Sequence, residues 1–388
     1  MADKINNKKM YVFLVLLTVI SFTGLRVWMT LFNNFAVEMA GFNGFDIGAM
    51  QSIREIPGFL ALLIVFLLPF ISEHKLASVS VLVLGIGIAL TGFFPSFVGI
   101  MITTLLMSFG FHYFETLNQS LTLQYFDKSE APVIFGKLRS YASITSIIMG
   151  VVIYLLSFVL NYLQMFLLFG IIVIAGALHS FTLHPADKNI PVQHKKMIIR
   201  KKYWLFYLLT MMAGARRQIF VAFSVFLLVK KFDFSISEIS MLFVINNLIN
   251  YFLSPYIGKA ITKFGERKVL SLEYAALIPI FLVYATSKSK WIVGIMYVLD
   301  HIFFNFAIGI RTFFQKIGDV QDIAPSMAVG FTINHIAAVV FPVIGGILWQ
   351  IDYRIPFIMG ICFSVISLFF VQMIDKEIAK NKHTRGEI

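Results

Sequence analysis

Apolar residues recur along this chain in stretches of twenty or more, broken only by short polar or turn-forming pieces. Runs of ~20 apolar residues are the length a helix needs to cross the hydrocarbon core of a bilayer. Lipid offers no hydrogen bonds, so every N–H and C=O must be satisfied within the spanning structure, which leaves helices and closed barrels. The alternating pattern of a barrel strand is absent. The expected fold class is therefore an all-α membrane protein. Composition agrees: 59% of the 388 residues are hydrophobic and 13% charged, against about a quarter charged in soluble domains.

A net charge of +12 would suggest nucleic acid as the partner of a soluble protein. Here it reads as an excess of cations on one side of a membrane, and no nucleic-acid partner is expected. The single cysteine, Cys362, lies in an apolar segment, so disulfides have no structural part. The opening MADKINNKKM runs into a long apolar stretch without a small-residue cleavage site, and is read as leading a retained first span.

Twelve spans are expected, at 10–36, 47–71, 76–94, 97–125, 132–158, 161–184, 203–229, 237–257, 268–286, 291–315, 324–349 and 354–375. Turn formers and charges separate them, as in GFNGFD (41–46), FDKSEAP (126–132) and KFGERK (263–268). The longest polar interruption, HPADKNIPVQHKKMIIRKK from His184 to Lys202, splits the spans six and six. The expected organisation is a six-helix bundle over 1–184, a basic linker over 185–202, a second six-helix bundle over 203–376 and a tail over 377–388. With the N-terminus inside, twenty-two of the 32 lysines and arginines lie in inner segments or at the inner ends of spans, and five in outer loops or at an outer span end. The other five are Arg26, Arg54, Arg216, Arg217 and Arg311, within spans. That bias puts both termini in the cytoplasm, and a bacterial cytoplasmic (inner) membrane is the expected location.

Ionic groups inside spans are costly, roughly 2.5–3.5 kcal/mol for an arginine at mid-helix on insertion scales. The chain accepts that cost twice in succession in GARRQIF, Gly214 to Phe220. Adjacent residues point ~100° apart, so one arginine is expected to face a wet interior and the other to pair with an acid or carbonyls of a neighbouring helix. Gly214 is expected to ease a local backbone adjustment. On the second span Arg54 and Glu55 suit a local or interhelical pair, and Glu273 in the ninth is assigned to the cationic loop before it. The fourth span carries His112 and Glu115 on one face, and the eighth clusters Asn246, Asn247 and Asn250. On the tenth, Asp300 and Arg311 return to within about 20° on one face, some 16 Å apart along a straight helix. Asn334 and His335 sit on the eleventh.

Six spans plus six, joined by a basic linker, resemble the major facilitator superfamily (MFS). The loop GKAITKFGERK, Gly258 to Lys268, resembles its cytoplasmic signature: Gly258, Lys263, Gly265, Arg267 and Lys268 match, with Thr262 in place of the acid and Glu266 in place of a cation. The segment FGKLRSYASIT, Phe135 to Thr145, is similar to the aromatic-Gly-x-x-Arg motif of the oligosaccharide and nucleoside proton-symporter branch, with Gly136 and Arg139 in register. That branch's acid on the fourth helix is missing around Leu121 and Thr122, so no sugar assignment follows.

The resemblance implies an MFS fold of two six-helix bundles, with the first, fourth, seventh and tenth helices lining a central pathway. It implies a secondary active transporter working by alternating access, and not an enzyme. The slight excess of in-span arginines favours a small anionic or zwitterionic metabolite as substrate. Candidate substrate-binding residues are Arg26, His112, Glu115, Arg216, Arg217, Gln218, Asn246, Asn250, Asn334 and His335. Asp300, with His301 or Glu115, is the candidate for proton coupling, because a carboxyl whose surroundings change can switch its charge. Gly258, Gly265, Arg267, Lys268 and Arg139 are candidates for gating. Protons, a small molecule and the lipid bilayer are the expected partners of a monomer, with no cofactor and no metal. Two alternatives stand beside this: proton-driven efflux of amphipathic compounds, and a membrane-embedded lipid-modifying transferase using His112 and Glu115 as acid and base.

Overall fold

The computed structural model describes residues 7–186, 190, 191, 193, 194, 196–234 and 236–384. Parts of the expected linker (187–189, 192 and 195) and the end of the expected tail (385–388) lie outside the described residues. Among the described residues there is no strand. The helices are α1 (Lys8–Ala40), α2 (Gly44–Phe59, prolonged by a 3-10 turn at Leu60–Leu63 and by Ile64–Leu67), α3 (Glu73–Thr91), α4 (Phe97–Tyr125), α5 (Ala131–Leu156) and α6 (Tyr162–Ser180). They continue as α7 (Trp204–Gln218, a π turn at Ile219–Ser224, then Val225–Phe232), α8 (Ile236–Phe264), α9 (Glu266–Thr286) and α10 (Lys290–Phe304, a 3-10 turn at Asn305–Ala307, then Ile308–Ile317). The last are α11 (Ile323–Ile351), α12 (Ile355–Val371) and α13 (Ile374–Thr384). Eleven stretches among the described residues are long and apolar enough to cross a membrane.

Local chemistry sets the helix ends. Asn7 caps α1 by accepting from the Met10 N–H at 3.0 Å, and Gly41 closes the helix in the left-handed region. The break before α6 has a clear cause: Asn161 and Gln164 exchange side-chain and backbone hydrogen bonds at 2.9 and 3.0 Å, a capping box. The segment expected as a tail instead forms α13, with Asp375 and Glu377 in its first turn and Lys382 and His383 in its last, the order that the helix dipole favours.

The chain divides into two compact units. The first comprises Met1–Phe126, Leu138–Ile198 and Gln321–Thr332; the second comprises Asp127–Lys137, Ile199–Val320 and Ile333–Ile388. In the first, α3 packs on α4 and α6, α6 on α1, and α2 on α4. The second repeats that order six helices later: α9 packs on α10 and α12, α12 on α7, and α8 on α10. Apolar side chains gain nothing over lipid by meeting each other, so close approach of small residues holds such bundles together. At Gly110, a Cβ would stand 2.4 Å from the Leu84 nitrogen, so only glycine lets α4 lie this close to α3. The core of the second unit is aromatic, with Phe220, Phe223, Phe281, Tyr284, Tyr297 and Phe357 buried together.

Candidate functional site

The first unit carries in-span ionic or titratable side chains with distinct surroundings: Arg54 with Glu55, His112, Glu115 and Arg26. Arg54 and Glu55 pair at 2.7 Å, and the Arg54 guanidinium lies 5.5 Å from the Trp28 ring centroid, a cation–π contact. His112 is buried, its Nδ1 2.9 Å from both the hydroxyl and the carbonyl oxygen of Ser108, whose hydroxyl donates to the Arg54 carbonyl. Glu115, one turn along α4, is half-buried. Arg26 on α1 is also half-buried, and no hydrogen bond or ion pair holds its guanidinium among the described residues. Burial without a partner is an expensive state for a cation in a span.

The second unit resolves the double arginine. Arg216 is 3% exposed and turns toward α9 and α12. Its Nη2 stands 3.5 Å from Glu273 Oε1, its Nη1 donates to the Ser367 hydroxyl, and the guanidinium lies 4.2 Å from the Tyr274 ring centroid. Arg217, one residue on, is half-buried and turns instead to α11, where Nη1 donates to Asn334 Oδ1 at 3.3 Å. No acid pairs with Arg217 among the described residues. α7 runs as regular helix through Gly214, which brings it against α11. A Cβ there would stand 2.6 Å from the Asn334 carbonyl oxygen. The irregularity in α7 comes later, as the π turn at Ile219–Ser224, a feature that recurs at functional sites.

Asp300 and His301 on α10 divide in the same way. Asp300, 2% exposed, lies beside Tyr284 of α9. His301 faces α8: the Asn250 amide donates to its Nε2 at 2.7 Å, and Asn305 donates to Asn250 Oδ1 at 2.6 Å and to the His301 carbonyl at 2.9 Å. Phe220 of α7 closes this network, 5.7 Å from the imidazole centroid and 5.0 Å from Tyr297. Asn246 lies a turn away on α8, 2% exposed, with neither end of its amide hydrogen-bonded among the described residues. Gln218 and His335 are buried. The expectation that Asp300 and Arg311 share a face assumed a straight helix. The 3-10 turn at Asn305–Ala307 intervenes, and Arg311 lies 5.6 Å from the Phe135 ring centroid.

Four of the gating candidates, Gly258, Gly265, Arg267 and Lys268, lie where α8 ends and α9 begins. Gly258 meets the start of α5, since a Cβ would stand 2.3 Å from the Pro132 carbonyl; Gly136 meets Ser254 at the same distance. Thr262, in place of an acid, donates its hydroxyl to the Ser129 carbonyl at 2.9 Å. Gly265 has φ +82°, which suits glycine, and opens α9. Arg267 pairs with Asp375 of α13 at 2.7 Å, and Glu266 takes Lys316 at 2.6 Å. Lys268 is exposed, and Arg139 is half-buried on α5. Glu273 therefore does not serve the cationic loop. Its partner is Arg216, while Glu266 and Asp375 serve the loop and its surroundings. The cost argument that singled out the arginines applies equally to an acid inside a span, and it would have marked Glu273 as Arg216's counter-ion. Ser367, Tyr274, Tyr284 and Asn305 carry no such mark, because hydroxyls and amides are common in spans.

The sequence profile of the Major Facilitator Superfamily matches residues 14–318. No curated protein matches the chain. Among solved structures, the fucose:proton symporter FucP of E. coli is similar over 94% of this chain and 98% of its own, at 14% identity and a TM-score of 0.72. A bacterial homologue of the iron transporter ferroportin, in an outward-facing state, matches over 95% and 99% respectively, at 13% identity and a TM-score of 0.76. The human organic anion transporter MFSD10 matches over 95% and 100%, at 12% and 0.72. At these identities the likeness is one of fold.

Proposed function

The chain belongs to the Major Facilitator Superfamily, and from that premise we propose that it moves a small anionic or zwitterionic metabolite by alternating access, driven by protons. Membership in a family of transporters displaces the transferase reading of His112 and Glu115. The observation that carries the substrate class is a pair of in-span cations without acids. Arg26 has no ionic partner, and Arg217 has only the Asn334 amide, among the described residues. A buried or half-buried guanidinium left without a counter-charge is a standing cost, and an anionic substrate supplies that charge with two acceptor oxygens in the fork geometry arginine matches. Arg216 drops out of the substrate set because Glu273, Ser367 and Tyr274 already engage it. His301, Asn250 and Asn246 would contribute neutral donors and acceptors.

Asp300 is the proposed coupling carboxyl, and the junction of α5 and α8 at Gly136, Gly258 and Thr262 the proposed gate. Backbones that touch without intervening side chains can part and re-form as a unit. The basic bias of the loops supports cytoplasmic termini and a bacterial inner membrane, with the transporter acting as a monomer.

Two measurements test this. Purified full-length protein is screened by thermal unfolding with lactate, inorganic phosphate, glutamate, glycine, glucose and tetramethylammonium. The acidic compounds are expected to raise the midpoint in a saturable way, and Arg26→Gln and Arg217→Gln to abolish the rise. Stabilisation by glucose or tetramethylammonium alone overturns the substrate class. A stabilising compound, radiolabelled, is then followed into proteoliposomes with and without an imposed pH gradient. Flux indifferent to the gradient overturns the coupling.

A further inference from the structure

The hydrogen bonds around His301 have a fixed direction, because one of them ends on a group that can only accept. Asn305, at the 3-10 turn of α10, reaches back one turn to the His301 carbonyl oxygen at 2.9 Å. A carbonyl has no proton to give, so that end of the Asn305 amide is its NH2. The same NH2 lies 2.6 Å from the side chain of Asn250 on α8, which makes the Asn250 atom there its oxygen. The other end of Asn250 is then NH2, and it stands 2.7 Å from His301 Nε2. Turning either amide over would set N–H against N–H, or oxygen against oxygen, at hydrogen-bond distance.

His301 Nε2 therefore points a lone pair at Asn250. A neutral imidazole carries one proton, and the partner of one nitrogen decides which nitrogen holds it. Here it belongs on Nδ1. The surroundings defend that choice. Asn250 and Asn305 are buried, and Phe220 of α7 lies 5.7 Å from the imidazole centroid while stacking on Tyr297 at 5.0 Å and Phe304 at 6.3 Å. In an aromatic, buried setting, an amide turned the wrong way has little water to restore its lost bonds.

We propose that Asn305 and Asn250 form an amide relay that fixes His301 as its neutral Nδ1–H tautomer, so that any hydrogen bond from His301 to substrate runs from the ring to a substrate oxygen. The relay stands on its own geometry; its use on substrate rests on the function proposed above. Asn305 and Asn250 are positioning residues, on two helices, that act through the imidazole. A doubly protonated ring would meet the Asn250 N–H with an N–H of its own, so the relay also sets His301 apart from the proton path, which falls to Asp300. A ring that only donates suits an anion rich in acceptor oxygens and offers nothing to a cation.

The test reads the ring nitrogens directly. Full-length protein with nitrogen-15 in its eight histidines is examined by NMR at neutral pH, and the His301 signals are identified by their loss in His301→Gln. Nδ1 is expected to carry a bonded proton and Nε2 none. Asn250→Asp is isosteric and puts a carboxylate oxygen where the N–H stood, so the proton is expected to appear on Nε2. A protonated Nε2 in wild type, or a bare one in Asn250→Asp, overturns the relay. If Asn250→Asp does not fold, Asn305→Ala takes its place. Asn250 then loses the donor that orients its amide, and both tautomers are expected where wild type has one; an unchanged spectrum overturns the part given to Asn305. The use on substrate is read separately, by thermal unfolding with lactate and glutamate. A smaller rise in the midpoint is expected for His301→Phe than for wild type. Equal rises, with Nδ1–H still fixed in wild type, remove His301 from the substrate and leave the relay standing.

Discussion

At the scale of single residues, the two arginines of Gly214–Phe220 are physically different groups despite being neighbours. Arg216 is the counter-ion of a buried carboxyl, so Arg216→Ala strands Glu273 in a dry interior, an event that costs about 3–5 kcal/mol in comparable buried pairs. Arg217→Ala removes a half-buried cation with one amide contact and is expected to fall within about 0.5 kcal/mol of wild type. Thermal unfolding in detergent should separate them: a large drop for Arg216→Ala, little change for Arg217→Ala, and recovery of most of the loss in Arg216→Met/Glu273→Met. Equal drops for both single variants would show that the two positions are not distinct. Gly214→Ala should behave like Arg216→Ala for another reason, since its Cβ stands 2.6 Å from the Asn334 carbonyl oxygen; the expected cost is about 1–3 kcal/mol. The sequence alone shows that two cations in one span need an explanation and that adjacent ones must diverge. It does not show which neighbour each meets, because helical spacing fixes angles within one helix and is silent about the helix beside it.

At the scale of elements, the spans were legible because twenty apolar residues have few other uses, and capping residues such as Asn7 and Asn161 mark their ends. Irregularities inside the spans were not. In α10, three residues at 120° in place of 100° shift the far half by about 60°, enough to undo the alignment of Asp300 with Arg311. Nothing in DHIFFNFAIGIR announces that turn. Element ends also borrow caps from distant chain. The first turn of α11 is held by residues 130 positions earlier: Gln193 Oε1 accepts from the Ala324 N–H at 3.0 Å, while His194 donates its N–H to the Gln321 carbonyl at 2.9 Å and places Nδ1 2.7 Å from Asp322 Oδ1. Losing a side-chain cap costs about 1 kcal/mol. Gln193→Ala should therefore speed amide exchange over 323–327 by roughly fivefold, with exchange in the middle of α11 unchanged. Unaltered exchange at the start of the helix would mean that the contact contributes no protection.

At the scale of the whole molecule, charge and topology make a joint statement that can be checked without knowing the substrate. All five cations of the expected outer loops, Lys230, Lys231, Lys288, Lys290 and Arg354, belong to the second half of the chain. Several are engaged locally: Lys290 pairs with Glu238 at 2.8 Å, and Lys231 lies 3.7 Å from the Tyr353 ring centroid. Inner segments are far richer in lysine, with Lys128, Lys263, Lys268 and Lys376 distributed over both halves. Insertion responds to that asymmetry, since lysine and arginine near span ends resist translocation. A reversed chain would have to carry twenty-two cations across and keep five. The chain's single cysteine makes the test direct. In a Cys362→Ala background, cysteines placed singly at Lys288, Arg354, Lys128 and Lys263 are exposed to a membrane-impermeant maleimide on intact cells. Lys288→Cys and Arg354→Cys should react at once, while Lys128→Cys and Lys263→Cys should react only after the membrane is opened. The opposite pattern would put the linker and both termini outside. It would also place the α5–α8 junction at the outer end of the pathway, so that the proposed gate would close against the exterior and the proton-driven direction of transport would have to be redrawn.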